Sequence, residues 1–504
     1  MNKDRSKEWV KAVLQLIVDV INGVGDDERL GTLIIQYEDF TDEEKNMVHR
    51  LILEQFEVKD SILILSFINN VMKLPGFSLD MAKQIYTVDY GFKELIMLEL
   101  QAKNIPYKLK RKLHERVVCD LASNLTRRYE YIPVENRVKN RIVIITEQIL
   151  SLYHAPTRLV MEYIYTLVKY YEYDVRLYVC TEDYMVAPDV ALSGYVYNSV
   201  DYNANVVEYK GIKIPYCQYL LSQTSWEQYE KMLRDIYDYN PEFVLELGVI
   251  NPIADLPEIF TTTVNQSMQI KAPVSEADIL LRYVQMDETA EREYQEALSP
   301  HQIQLFMNKK FPALFDITGK SYKREELGLP VDKFIVVIVG NRLDLEVSDE
   351  FLDVIKGILD INEEIDLAVI GDVTELDNRV EQMGISDRIH FLGYCEDLYG
   401  MYESAVDLYL NPKRTGGGWS SGIALYAGVP VVTMPNCDVA YNVGSSFIVN
   451  DYNEMKDIVV RYAEDKEFYN RQREEALEYR KHNGEAGVVE FVGEMLAKVK
   501  GAMK

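Results

Sequence analysis

Two hydrophobic textures divide the chain. Up to about Arg137 the apolar residues recur at helical spacing, as in Val10, Val13, Leu14, Leu16, Ile17, Val20 and Ile21, interrupted by Lys11 and Asp19. Further runs include Met47, Val48, Leu51, Ile52 and Leu53, and then Ile62 to Val71. The acidic patches Asp26-Asp27-Glu28 and Asp42-Glu43-Glu44 lie where helices would start, because the positive end of a helix dipole favours carboxylates. The pattern predicts an all-α domain over 1–138 with a packing or docking role. No 34-residue self-similarity marks it as a helical repeat array.

From Asn140 the texture changes to continuous apolar runs of strand length, the signature of parallel strands covered on both faces. Strand Arg141–Thr146, loop 147–157, helix Arg158–Tyr170 and strand Asp174–Cys180 form an opening β-loop-α-β unit. Phe243–Leu247 and Ile259–Thr263 are further strands, and a polar stretch with a helix over Thr289–Leu298 connects to a second unit. There the predicted strands are Phe334–Val339, Leu367–Gly371, Arg388–Gly393, Asp407–Leu410 and Val429–Met434, with helices from Ser348, over Leu398–Ser404, and from Ser420 or Ser421. Helices Tyr452–Tyr462, Lys466–Arg480 and Gly487–Lys500 follow. The last carries an apolar stripe, Val488, Val489, Phe491, Val492, Met495 and Leu496, that needs a partner and is expected to return to the first α/β domain. The predicted division is 1–138 helical, 139–315 and 316–485 Rossmann-like, and 486–504 the returning helix.

A chain of 504 residues is too long for one core, and 48% hydrophobic with 27% charged residues is ordinary for a folded globular protein. The formal charge of −27 disfavours polyanionic partners, both nucleic acid and anionic lipid. The one basic cluster, Lys108 to Arg116, reads as a solvated helix face. Five scattered cysteines without a C-x-x-C pair speak against disulfides and zinc, and point to a reducing cytoplasm. No signal peptide is read in the charged start Met1 to Glu8, and no run reaches the roughly 18 apolar residues of a membrane span.

Chemistry concentrates in Asn411 to Asn442, NPKRTGGGWSSGIALYAGVPVVTMPNCDVAYN. Glycines between a strand and a helix let backbone approach a ligand, and the helix start aims N–H groups at it, which suits a phosphate or diphosphate. Gly340-Asn341-Arg342-Leu343 directly follows a buried strand, and Arg342 offers a permanently charged fork of donors; the alternative is a surface arginine paired to a carboxylate such as Asp344. In the first α/β domain, His154 lies in the loop Tyr153-His154-Ala155-Pro156-Thr157, at the strand ends where such domains bind ligands. It is read either as a base or orienting group, or as a loop-stabilising hydrogen bonder. Asn251, Asp255, Thr262 and Asn265 are candidates to line the acceptor side, or plain polar loop residues. The other five histidines are structural or surface residues.

The stretch Asn411 to Asn442, ending in Ala427-Gly428-Val429-Pro430-Val431-Val432-Thr433-Met434-Pro435, resembles the donor-binding segment of GT-B fold glycosyltransferases, closest to the protein O-GlcNAc transferase type and its bacterial relatives. The His154 to Thr157 grouping is similar to one in the same type. The resemblance implies an α/β GT-B fold with an added N-terminal all-α domain, and metal-independent transfer of a sugar from UDP-GlcNAc or UDP-glucose to a protein or glycan acceptor. It implies His154 and Arg342 as catalytic residues, and Asn341, Lys413, Arg414, Gly416, Gly417, Gly418, Ser420 and Ser421 as donor-binding residues. No metal and no cofactor beyond the UDP-sugar co-substrate are expected. Assembly into homo- or hetero-oligomers through the helical domain fits the same plan. Two departures stand out. The carboxylate that holds the nucleotide ribose in many GT-B enzymes falls on Ile423, with no Asp or Glu between Lys413 and Cys437; and Asp344 and Glu346 stand near the place where relatives carry a loop lysine, for which Lys413 or Arg414 could substitute. Two alternatives stay open: an inactive GT-B partner subunit of a glycosylation complex, for which the missing carboxylate speaks, and a UDP-sugar epimerase on the same fold.

Overall fold

The structure is a computed structural model that describes residues 2–24, 27–56, 58–74, 76–85, 105–147, 149, 155–181, 205–220, 225–268, 272–282, 288–308, 311–312, 319–414 and 416–503. Two compact units emerge, Met1–Met307 with Leu496–Lys504, and Asn308–Met495.

The first unit opens with helices Asn2–Ile21, Asp27–Glu38, Asp42–Glu54, Val58–Phe67, Phe77–Ile85 and Tyr107–Ser123. Acidic residues occupy the first turns of the second and third, and Thr41 with Glu44 closes a capping box at the latter. Trp9, Tyr37, His49 and Phe77 interlock at the centre of the helices, and Tyr37 Oη lies 2.9 Å from His49 Nε2. Burial, then the charge of Lys45, pushes the His49 imidazole down to about 3, so it sits there as a neutral core residue. The same apolar cluster continues into Val143, Ile145, Val244 and Phe260. Helical region and first sheet thus share one core.

That sheet comprises β1 (Arg141–Thr146), β2 (Asp174–Thr181), β3 (Val206–Tyr209), β4 (Ile212–Leu220), β5 (Phe243–Leu247), β6 (Thr263–Gln266), β7 (Ile279–Arg282) and β8 (Ile303–Phe306). Their order is β3-β4-β2-β1-β5-β6-β7-β8, parallel except for the β3-β4 hairpin. The order reverses between β1 and β5, as in a Rossmann-like sheet. The predicted strand Ile259–Thr263 is corrected: Pro257 helps set a 3-10 turn over Leu256–Ile259, and the strand starts at Thr263. In the C-terminal helix Glu485–Ala502, Lys500 Nζ lies 3.2 Å from Glu242 Oε1, and residues from Leu496 onward group with this unit.

The second unit carries a parallel sheet of β9 (Phe334–Val339), β10 (Ile365–Ile370), β11 (Ile389–Gly393), β12 (Leu408–Leu410) and β13 (Val431–Val432), ordered β11-β10-β9-β12-β13. Ser348 caps helix Asp349–Ile361 as its sequence predicts, its hydroxyl accepting from Phe351 N–H at 3.2 Å. The predicted strand Val429–Met434 shrinks to two residues because the Val429 N–H is taken by the Ala424 carbonyl, 2.8 Å away, in the turn that ends the preceding helix. Among the described residues no helix is long and apolar enough to cross a membrane.

Candidate functional site

In the second sheet the order reverses between β9 and β12, so the loops after these two strands emerge side by side at its carboxyl edge. The first loop carries Asn341 and Arg342, the second Lys413, Arg414 and the glycines. The helix after the glycines runs over Gly418–Ala427, starting two residues before the predicted serines. Its N-cap is Gly417, at φ +96°, a left-handed conformation that an L side chain adopts with strain. A Cβ there would also meet Asn411 Oδ1 and Arg414 Nη2 at 2.9 Å. The first intrahelical bond is Ser421 N–H to Gly417 carbonyl at 3.0 Å, so the N–H groups of the turn before it have no acceptor within the helix.

Two of the predicted donor-binding side chains face inward. Ser421 is fully buried and its hydroxyl donates to the Gly418 carbonyl at 2.9 Å. Arg414, with 4% of its side chain exposed, donates to Asn411 Oδ1 at 2.9 Å, to the Val339 carbonyl at 2.6 Å and to Glu346 Oε2 at 2.7 Å. These bonds hold the loop in shape. Ser420 bonds Tyr409 Oη at 2.9 Å and the Gly417 carbonyl at 3.1 Å. Asn341 and Lys413 are exposed, and Arg342 is half exposed, its Nη2 2.8 Å from Glu346 Oε1. Asp344, the carboxylate first weighed as its partner, instead caps the Glu375–Gln382 helix, accepting from Leu376 N–H at 2.8 Å and Thr374 N–H at 3.0 Å. Asn442 pins the helix start through the Gly418 carbonyl at 2.8 Å. Ile423 is buried in the apolar core behind the site.

In the first unit His154 lies outside the described residues. Asp255 does not line an opening: it is fully buried, with His114 Nε2 at 2.6 Å. Asn251, Thr262 and Asn265 are also buried. The cluster Lys108 to Arg116 is only partly a solvated face, because Arg111 and His114 turn into the sheet, Arg111 donating to the Ser275 carbonyl and to Gln302 Oε1 at 2.8 Å.

At the opposite, amino edge of β6, β7 and β8, Glu258, Asp278 and His301 bring three potential metal-ligand atoms within 4.8 Å of one another. Asp278 already accepts from Thr263 N–H at 2.8 Å. Burial pushes the Glu258 carboxyl up to about 7; His301 opposes the shift, and Asp278, Asp255 and Glu276 add to it. A carboxyl raised from 4.5 on folding favours the native state fully below about pH 4.5, and that contribution is lost as pH rises through about 7. Thermal melts from pH 5 to 8 should therefore show Glu258→Gln losing less stability with rising pH than the parent. Parallel curves would refute this.

Residues 320–479 match the family Glycosyl transferases group 1. No curated protein matches the sequence. Among solved structures, the fold is similar to a point mutant of Thermobaculum terrenum O-GlcNAc transferase, at 15% identity and TM-score 0.54 over 100% of this chain and 98% of that one. WaaG, a glycosyltransferase involved in lipopolysaccharide biosynthesis, is matched at 12% identity and TM-score 0.45 over 70% of this chain and 98% of its own. The family match spans the second sheet and both loops that carry Arg342 and the glycines, so residues 320–479 form a glycosyl transferases group 1 domain, and the fold of the chain is of the GT-B type.

Proposed function

We propose that the protein transfers a hexosyl group from a UDP-sugar, UDP-GlcNAc or UDP-glucose, to a hydroxyl or amide of a protein acceptor without a divalent metal. The bond from the anomeric carbon to the β-phosphate oxygen breaks, the acceptor atom bonds to that carbon and gives up its proton, and UDP leaves with the electron pair. The observation that carries this reading is the meeting of Arg342 with the Gly-rich start of the Gly418–Ala427 helix at the switch point of the second sheet. A helix start and a guanidinium place fixed positive charge where negative charge develops on the leaving diphosphate. Likeness to an O-GlcNAc transferase favours UDP-GlcNAc as donor.

A second reading, a GT-B partner subunit without activity, is favoured by buried Ile423 at the ribose-carboxylate position. Binding and slow hydrolysis of UDP-, GDP- and ADP-sugars by the purified protein separate the two. The transferase reading expects micromolar binding and hydrolysis of one UDP-sugar. Arg342→Ala should then weaken binding by about 10- to 100-fold, the worth of about 1.5–3 kcal/mol for hydrogen bonds to a charged group. No binding at millimolar concentration would leave the partner-subunit reading.

A further inference from the structure

We infer that Glu346 is an internal anion at the diphosphate seat, which competes with the donor for Arg342 and so sets how tightly the seat binds. This rests on the transferase reading for its ligand, a nucleoside diphosphate. Glu346 ends the short helix Leu343–Glu346, one turn beyond Arg342. Its two carboxylate oxygens are divided between two guanidinium groups, Oε1 to Arg342 Nη2 at 2.8 Å and Oε2 to Arg414 Nη1 at 2.7 Å. The two arginines differ in kind. Arg414 is buried with backbone and side-chain partners on several sides, whereas 49% of the Arg342 side chain is exposed.

Arg342 Nη2 and Glu346 Oε1 lie 3.5 and 3.8 Å from the point a Cβ on Gly416 would occupy. Cation and carboxylate therefore face, together, the open space that glycine leaves beside the helix start. An incoming diphosphate needs the guanidinium that Glu346 holds, and meets the repulsion of Glu346 itself. Donor binding is an exchange of one anion for another on Arg342.

Glu346→Gln tests this with the scaffold kept. The amide has one acceptor oxygen, and buried Arg414 claims it, because an unpartnered buried guanidinium costs most. The amide NH2 then faces Arg342, to which it offers no acceptor. Calorimetry with UDP and with inorganic pyrophosphate, on full-length parent, E346Q, R342A and the double variant, is expected to give about tenfold tighter binding of both ligands to E346Q. The gain should vanish when Arg342 is absent. Equal or weaker binding to E346Q, or a gain that persists without Arg342, overturns the inference. Glu346→Asp, which keeps the charge, should show no such gain; a tenfold gain there also overturns it. UDP-sugar hydrolysis is scored separately. Tighter UDP binding by E346Q with no sugar released by either protein would leave this inference standing and remove the transferase reading; hydrolysis by the parent without the E346Q gain would do the reverse.

Discussion

Asp255→Ala is expected to destabilise the first unit by about 2–6 kcal/mol, at about 1–3 kcal/mol for each buried group that loses its hydrogen-bond acceptor. The fully buried carboxylate has three partners: His114 Nε2 at 2.6 Å, Ser275 Oγ at 2.6 Å and Glu276 N–H at 2.9 Å. Ser275 Oγ also lies 3.1 Å from Glu246 Oε2 and accepts from Ala277 N–H at 3.0 Å. A hydroxyl has one proton to give. If Asp255 receives it, the Glu246 carboxyl must bring its own, which agrees with the upward push on Glu246 from burial and then from the Asp255 charge. Removal of Asp255 takes one acceptor from His114 and one from the Glu276 N–H in a fully buried setting, and it undoes this polar tie between helix Tyr107–Ser123 and the sheet. Urea denaturation followed by far-UV circular dichroism gives the test. Asp255→Asn, which keeps an acceptor oxygen, should lose distinctly less; a loss under about 1 kcal/mol for the alanine variant would place the pair among ordinary surface contacts.

Why that tie is invisible in sequence explains much of what could and could not be read. The carboxylate and histidine are 141 positions apart, and nothing local to KLKRKLHER distinguishes the residues that turn inward from those that stay in water. Arg414 poses the same problem. Beside three glycines it looks like a phosphate ligand, but its fate is decided by Glu346, 68 positions earlier, and by the Val339 carbonyl at the end of β9. Tertiary partners override the local hint in both cases.

What depends on local physics was legible. Arg141–Thr146, Phe243–Leu247 and Phe334–Val339 are read with their observed bounds because strands covered on both faces leave continuous apolar runs. The alternation of strands and helices implies parallel sheets, and the structure then puts the reversal of strand order, and so the meeting of two loops, between β9 and β12. Arg342 and the glycines fall on the two loops that meet at that place because each loop directly follows its strand. The helix start was misplaced for a local reason: serine is the usual N-cap, and Gly417 takes that role by adopting a conformation serine avoids.

Gly371→Ala should cost more than about 3 kcal/mol and abolish UDP binding, although Gly371 touches no ligand in the transferase reading. Two penalties add there. The residue has φ +139°, which strains any L side chain, and an added Cβ would run into the Gly340 carbonyl oxygen, with the carbonyl carbon at 2.9 Å. Both obstacles are backbone, so no rotamer change relieves them. Gly340 is itself fixed, its N–H bonded to the Ile370 carbonyl at 3.0 Å, and Gly371 N–H is bonded to the Gly393 carbonyl at 2.9 Å. The loop after β9 must therefore move, and it carries Asn341 and Arg342. Arg414 Nη1 already stands 2.5 Å from where a Cβ on Gly340 would be, so the displacement passes to the arginine that shapes the glycine loop. Gly384→Ala provides the control, because φ is +68° there but nothing lies within 4 Å of the added carbon. It should cost about 1 kcal/mol, the backbone term alone, and leave UDP affinity unchanged. Urea midpoints and UDP titrations of the two variants isolate the close approach of the strand ends β9 and β10. If both variants lose the same stability and keep UDP, that approach does not hold the site together.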